Sequence, residues 1–241
     1  INLAAQAGVR YSLIKPTEYV DNNVLGFYNI ISAANKYKVK KIIYASSSSV
    51  YGDSTIFPLS EKQKIKPKNI YALSKKINEE MADVFSEQFK IYFVGLRFFT
   101  VYGEWGRPDM FMMKYLESSF NSSKKFYLNN FGNHIRDFTY IDDVCEIIKR
   151  LIISKNKKKY HQFFNICSNN PLNLSKIINQ INKLTFKKPR IYKRSLQKAD
   201  VIKTHGSNKK ILSKIGKMKF TKIEIGLEKT LGWFKKYYNF Y

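Results

Sequence analysis

Apolar positions along the first hundred residues alternate between short β-rich runs and longer stretches of helical period. Residues 1–5 read as the end of a buried strand, and a loop with Gly8 and Arg10 follows. Pro16 is placed to open a helix at its first turn, and the helical pattern then runs to about residue 37. Residues 40–45 form the next strand, 53–69 a polar loop with prolines, 71–89 a helix and 91–98 another strand. In the 71–89 helix, Ile77, Met81, Val84 and Phe85 mark the apolar stripe. Strands that alternate with helices imply crossover connections, hence a doubly wound parallel sheet.

Beyond Thr100 the rhythm changes. Gly103, Gly106 and Pro108 mark a loop, followed by a helix over about 110–120 and short strands near Phe126 and Phe138. A helix is expected over 141–153, a strand over 163–166, and further helices over 174–184 and 223–238. The chain shows no internal repeat, and 156–159 is a charged run expected to form a solvated loop.

With 241 residues, 44% hydrophobic and 15% aromatic, the chain can bury a real core and is not of disordered composition. Its formal charge is +25, but seven Arg leave 36 Lys, and these are scattered rather than gathered in an Arg-rich patch. That pattern argues against nucleic acid as the partner and leaves a surface that attracts anionic substrates. Cys145 and Cys167 are too few for a disulfide framework and lack metal-ligand spacing with the three His, so no metal is expected. No apolar run reaches membrane-spanning length. The chain starts inside a strand pattern without Met, so it is read as a piece whose beginning is missing.

The chemistry is expected between residues 42 and 75. The strand Ile42-Ile43-Tyr44-Ala45 ends in Ser46, Ser47, Ser48 and Ser49, followed by Val50-Tyr51-Gly52. In open α/β sheets ligands gather at that carboxyl edge. Tyr71 and Lys75, four residues apart, share one helix face. The pair alone means little, because 17 Tyr and 36 Lys produce about two and a half such spacings by chance. Three occur, at Tyr11/Lys15, Tyr37/Lys41 and Tyr71/Lys75, and only the last opens a helix after a serine-tipped strand.

Longer segments carry a resemblance: Leu3-Ala-Ala-Gln-Ala-Gly-Val-Arg10, Tyr44-Ala-Ser-Ser-Ser-Ser-Val-Tyr-Gly52, Tyr71-x-x-x-Lys75, Leu96-Arg-Phe-Phe-Thr-Val-Tyr-Gly103, Gly106-Arg-Pro-Asp-Met110 and Arg136-Asp-Phe-Thr-Tyr-Ile-Asp-Asp143. Together they resemble the extended short-chain dehydrogenase/reductases of the NAD-dependent epimerase/dehydratase family, and among them the UDP-glucuronate 4-epimerases. The resemblance implies a Rossmann-like doubly wound sheet whose first strands are missing, with a smaller α/β substrate domain. Residues 1–99, joined by 141–166, would belong to the cofactor domain and 100–241 mainly to the substrate domain. The Gly-rich phosphate turn would lie roughly 70 to 80 residues before Ile1, so this stretch by itself is expected to be inactive.

The resemblance also implies roles. Tyr71 is the general base on the sugar 4-hydroxyl, its phenol made acidic by Lys75 and oxidised nicotinamide. Ser47 bridges the sugar 4-oxygen, with Ser48 and Ser49 in support. NAD is the cofactor, met by Leu3, Ala4, Ala5, Asn23, Phe98, Tyr71 and Lys75. Arg10 and Thr100 are expected at a sugar carboxylate, and Arg107 and Arg136 at the diphosphate. The implied reaction converts UDP-glucuronate to UDP-galacturonate through a 4-keto sugar. A UDP-hexose 4-epimerase is the alternative, and a non-catalytic basic binding protein is a more distant one. Ser48 and Ser49, where dehydratases and decarboxylases place an acid, disfavour both of those activities. Gln197 stands three before Asp200, where several relatives have a diphosphate-binding Arg. A UDP-sugar as substrate, a homodimer built on helices 17–37 and 71–89, and a cytoplasmic location complete the expectations. Asp137, Asp142 and Asp143 are expected to be structural.

Overall fold

In a computed structural model of the chain, residues 1–154, 160–198 and 200–240 are described; the charged run at 156–159 lies outside them. Three parallel strands, β1 (Lys41–Ser47), β2 (Tyr92–Phe98) and β6 (His161–Ile166), form the first sheet in the order β1-β2-β6. Asn2 extends it beyond β1 through a parallel bridge to Tyr44. Both faces are covered, which explains why these strands read as continuous apolar runs rather than alternating ones. On one face, Phe27, Ile31 and Ala34 from α2 (Gly26–Lys36) and Ala82 from α3 (Ile70–Phe89) pack on Ile42, Tyr44 and Phe93. On the other, Val144, Ile147 and Leu151 from α5 (Ile141–Ile153) and Ile211 from α7 (Lys209–Ile215) pack on Ile43, Val94, Leu96 and Phe164.

Ahead of α2, the helix opens with α1 (Pro16–Tyr19) and then widens into a π-helical segment, Val20–Leu25. After β2 the chain forms β3 (Thr100–Tyr102), α4 (Phe111–Phe120), β4 (Phe126–Asn129) and β5 (Ile135–Tyr140). Strand β3 runs parallel to β5, which pairs antiparallel with β7 (Pro171–Asn173). Strand β4 is parallel to β8 (Ile191–Arg194). A core of Tyr115, Phe126, Leu128, Ile177, Ile181, Leu227 and Phe234 joins α4 to α6 (Leu174–Thr185) and α8 (Ile223–Tyr237).

Helix α3 departs from its expected face. Its buried residues are Ala72, Ser74, Lys75, Asn78, Glu79, Ala82 and Ser86, while Val84 is exposed and Ile77, Met81 and Phe85 are only partly covered. The inward side carries small and polar groups because it faces the serine-tipped end of β1. Asp137 and Asp143 serve structure: Asp137 accepts from Ser168 N and Oγ and from Gly206 N, and Asp143 from Thr221 N and Oγ1. Both cysteines are free thiols. Among the described residues no group of His, Cys, Asp and Glu could hold a metal ion, and no helix is long and apolar enough to cross a membrane.

Candidate active site

The carboxyl ends of β1 and β2 meet the first turn of α3. Asn69 caps that helix by accepting from Ala72 N at 2.9 Å, which fixes where its first turn begins. Tyr71 therefore faces the end of β1, near enough to the Ser47 hydroxyl for that group to lower the pKa of its phenol. Ser47 is buried, and its Oγ accepts from Ser49 N at 3.2 Å, starting the short 3-10 turn Ser48–Tyr51. Gly52 closes that turn at φ 64°, with Lys66 O so near that a Cβ would collide with it. Only glycine suits this position.

Lys75 is 3% exposed and donates to Ala45 O at 2.9 Å. Burial lowers its pKa to about 8. The Tyr71 phenol is pushed up by burial, while the Ser47 hydroxyl and the positive charge of Arg107 pull it back. The expected joint effect of Lys75 and oxidised nicotinamide belongs to the NAD-bound site; within the chain itself, Ser47 and Arg107 are the groups that pull the phenol down. The Lys75 ammonium is engaged by Ala45 O, and its own charged form is disfavoured by the same burial.

Asn23, on the π-helical segment, accepts from Gln6 N at 2.7 Å and donates to Gln6 O at 3.0 Å and Ser74 Oγ at 2.9 Å. It ties the segment holding Leu3, Ala4 and Ala5 to α3; Leu3 and Ala4 are exposed and Ala5 half-buried. Phe98 pairs in register with Ser47, and Thr100 starts β3 two residues later. Ser48, Ser49, Phe98 and Thr100 are all half-buried at this edge. Tyr19 was not anticipated. It donates to Gly8 O at 2.6 Å and sets its ring edge-on to Tyr71, with centroids 6.1 Å apart. One Tyr among 17 carries no sequence signal that would single it out.

Each of the three expected arginines has partners within the chain. Arg107 is the one whose charge acts on Tyr71 and Tyr19, and its fork is held by Asp109 at 2.9 and 2.8 Å. Arg10 instead grips Asp200 through Nε at 3.1 Å and Nη2 at 2.7 Å, and Asn129 in its favourable amide orientation accepts from it as well. Arg10 lies near enough to Arg136 and His134 to disfavour their charged forms. Arg136 donates to the carbonyls of Ile135, Ile202 and Val201, and burial lowers its pKa to about 10. Gln197 turns to Ser195 O at 3.3 Å.

A parallel sheet wrapped on both faces by helices, whose serine-tipped strand meets a Tyr-x-x-x-Lys helix, defines an enzyme of the short-chain dehydrogenase/reductase class with a Rossmann-like fold. A model of the NAD dependent epimerase/dehydratase family matches residues 1–167, and the chain belongs to that family. It is 39% identical to "Protein CapI" of Staphylococcus aureus over 99% of this chain and 76% of that protein. It is 34% identical to "UDP-glucuronate 4-epimerase 4" of Arabidopsis thaliana over 99% of this chain and 58% of that one. The solved UDP-glucuronic acid 4-epimerase of Bacillus cereus, in complex with UDP-glucuronic acid and NAD, superposes with a TM-score of 0.91 at 28% identity, covering 98% of this chain and 74% of its own.

NAD is the cofactor of this family, and the residues present fit it. The Lys75 ammonium is buried with Ala45 O as its acceptor, which leaves further N–H donors for a ribose. The apolar Leu3–Ala4–Ala5 segment, tied down by Asn23, lines the same edge of the sheet.

Proposed function

We propose that the whole protein interconverts UDP-glucuronate and UDP-galacturonate by inverting the sugar at C4. The observation that carries this reading is the Ser47 hydroxyl bearing on the Tyr71 phenol at a site whose serine turn, 46–52, holds no carboxylate. Ser47 and Tyr71 can hold one sugar oxygen between them, and Tyr71 in its phenolate form can take that oxygen's proton. NAD, when bound, supplies the acceptor and donor for the hydride at C4. Tyr71 takes and returns the 4-hydroxyl proton, Ser47 orients that oxygen, and Lys75 holds the ribose side of the pocket.

Loss of water across C5–C6 would require a free acid near those carbons. The nearby Glu79 is committed to Arg97 and Ser46, and Asp109 to Arg107, so neither suits that work. For the uronate, Arg107 is our choice of cation, because its charge reaches Tyr71 and its Nη1 lies outside the pair with Asp109. Thr100, Ser48 and Ser49 supply hydroxyls beside it. Arg136 and Arg10, grouped around Asp200, are assigned to the diphosphate side. This assignment lets Arg10 supply the positive charge that Gln197 lacks.

Residues 1–99 with 141–166 form the cofactor domain in this reading, and the remainder mainly the substrate domain. A homodimer is supported by the outward apolar side chains of α2 and α3, where Tyr28 packs on Phe85 and Leu25, Ile30, Leu73 and Val84 are exposed. A cytoplasmic location follows from the nucleotide-sugar and NAD pools the reaction draws on. Incubating the full-length protein and NAD separately with UDP-glucuronate and UDP-glucose tests the choice of sugar. The 4-epimer is expected from the uronate; conversion of UDP-glucose alone would favour the hexose epimerase.

A further inference from the structure

Below the serine turn lies a buried ion pair to which the chemistry above gives no part. Glu79 stands four residues beyond Lys75 and eight beyond Tyr71, on the same face of α3. Its carboxylate accepts from Arg97 Nε at 2.8 Å, from Arg97 Nη2 at 2.7 Å and from Ser46 Oγ at 2.6 Å. Arg97 also donates from Nη1 to Tyr51 OH at 2.9 Å, and the Tyr51 hydroxyl donates to Asn165 Oδ1 at 2.7 Å. The guanidinium stacks over Phe163 at 4.0 Å and is 2% exposed; Glu79 is 5% exposed.

Stability alone is a poor reason for this pair. Taking two charges out of water offsets much of their attraction, and apolar replacements of similar volume are often as stable or more so. Its position gives a better one. The network joins α3, which carries Tyr71 and Lys75, to Ser46 beside Ser47 and to Tyr51 at the end of the serine turn. It also settles a competition on α3. A lysine and a glutamate four apart on a helix are neighbours that can pair, though weakly when the lysine comes first, as with Lys75 and Glu79. Here Lys75 donates to Ala45 O instead, because both oxygens of Glu79 are taken by Arg97.

We propose that Arg97 is a positioning residue: by holding Glu79 in a bidentate pair it keeps that carboxylate off Lys75 and pins Ser46, so that Lys75 stays at Ala45 and Ser47 at Tyr71. The activity readout rests on the epimerase reading; the placement of Lys75 does not.

The test compares full-length wild type, R97K, R97M and E79M/R97M. R97M frees Glu79 to capture Lys75, and kcat is expected to fall at least 100-fold while the Kd for UDP-glucuronate stays within about three-fold. Removing the stray carboxylate in E79M/R97M should recover at least ten-fold of that loss, with a Tm at or above wild type. R97K keeps the charge without the fork and should lose about ten-fold in kcat. A folded R97M or R97K within two-fold of wild-type kcat overturns the proposal, as does a double variant no faster than R97M. The crystal structure of R97M, or of R97K where R97M does not fold, gives a readout independent of turnover: Lys75 Nζ should leave Ala45 O for Glu79, and its staying in place also overturns the proposal. Absence of turnover in wild type would count against the epimerase reading and leave that structural result to decide.

Discussion

The Ser47 hydroxyl bears on the Tyr71 phenol across the gap between β1 and α3, although 24 residues separate them in sequence. A sugar oxygen set between them can lose its proton to Tyr71 in its phenolate form. Replacing Tyr71 with Phe removes the base and leaves the ring packing on Tyr19, so kcat should fall by about 10²- to 10⁴-fold with the fold intact. Single-turnover kinetics and a melting curve on Y71F check this together.

Lys75 should make the folded protein less stable while making it active. Its pKa falls from 10.5 to about 8 on folding, so between those values the unfolded chain binds more protons and stability rises with pH. Below pH 8 the burial of its charge is felt in full, by up to about 3 kcal/mol. K75M is therefore expected to melt higher than wild type at pH 7 and to be inactive, with its advantage shrinking as pH rises from 8 to 10.5. Urea unfolding of both proteins across that range measures the effect; an advantage that grows with pH would contradict it.

Arg107 and Arg10 should separate by substrate. R107Q is expected to raise KM for UDP-glucuronate about 10- to 100-fold, the loss of a charge-assisted pair, and to affect UDP-glucose far less. R10Q should weaken both substrates alike, because the diphosphate is common to them. Steady-state kinetics on the two substrates decides; equal effects of R107Q on both would remove Arg107 from the sugar carboxylate.

Asn23 holds both backbone groups of Gln6. N23A leaves these and Ser74 short of partners and should cost about 2 kcal/mol of stability. Binding of NAD should weaken as well, since the Leu3–Ala5 segment loses its tie to α3. Chemical denaturation and calorimetric titration with NAD report the two effects separately.

Much of this was legible in the sequence where periodicity or a motif was strong. Helix α5 spans Ile141–Ile153 as expected, and the serine-tipped strand and the Tyr71/Lys75 helix meet. Strands β7 and β8 were missed because three or four residues hold too little alternation to register, and α7 because its seven residues are largely lysine and isoleucine. The inward side of α3 was misjudged because apolar spacing does not reveal that a helix turns a buried ion pair toward its sheet. The pairing of Arg10 with Asp200, 190 residues apart, is brought together only by the fold and carries no local sequence signal.

The most direct test uses UDP-glucuronate deuterated at C4, the full-length protein and NAD, with the product followed by NMR. Inversion at C4 through the Ser47–Tyr71 site predicts UDP-galacturonate with the deuterium still at C4. Release of CO₂ from the sugar, loss of the label to water, or an unchanged substrate would contradict it.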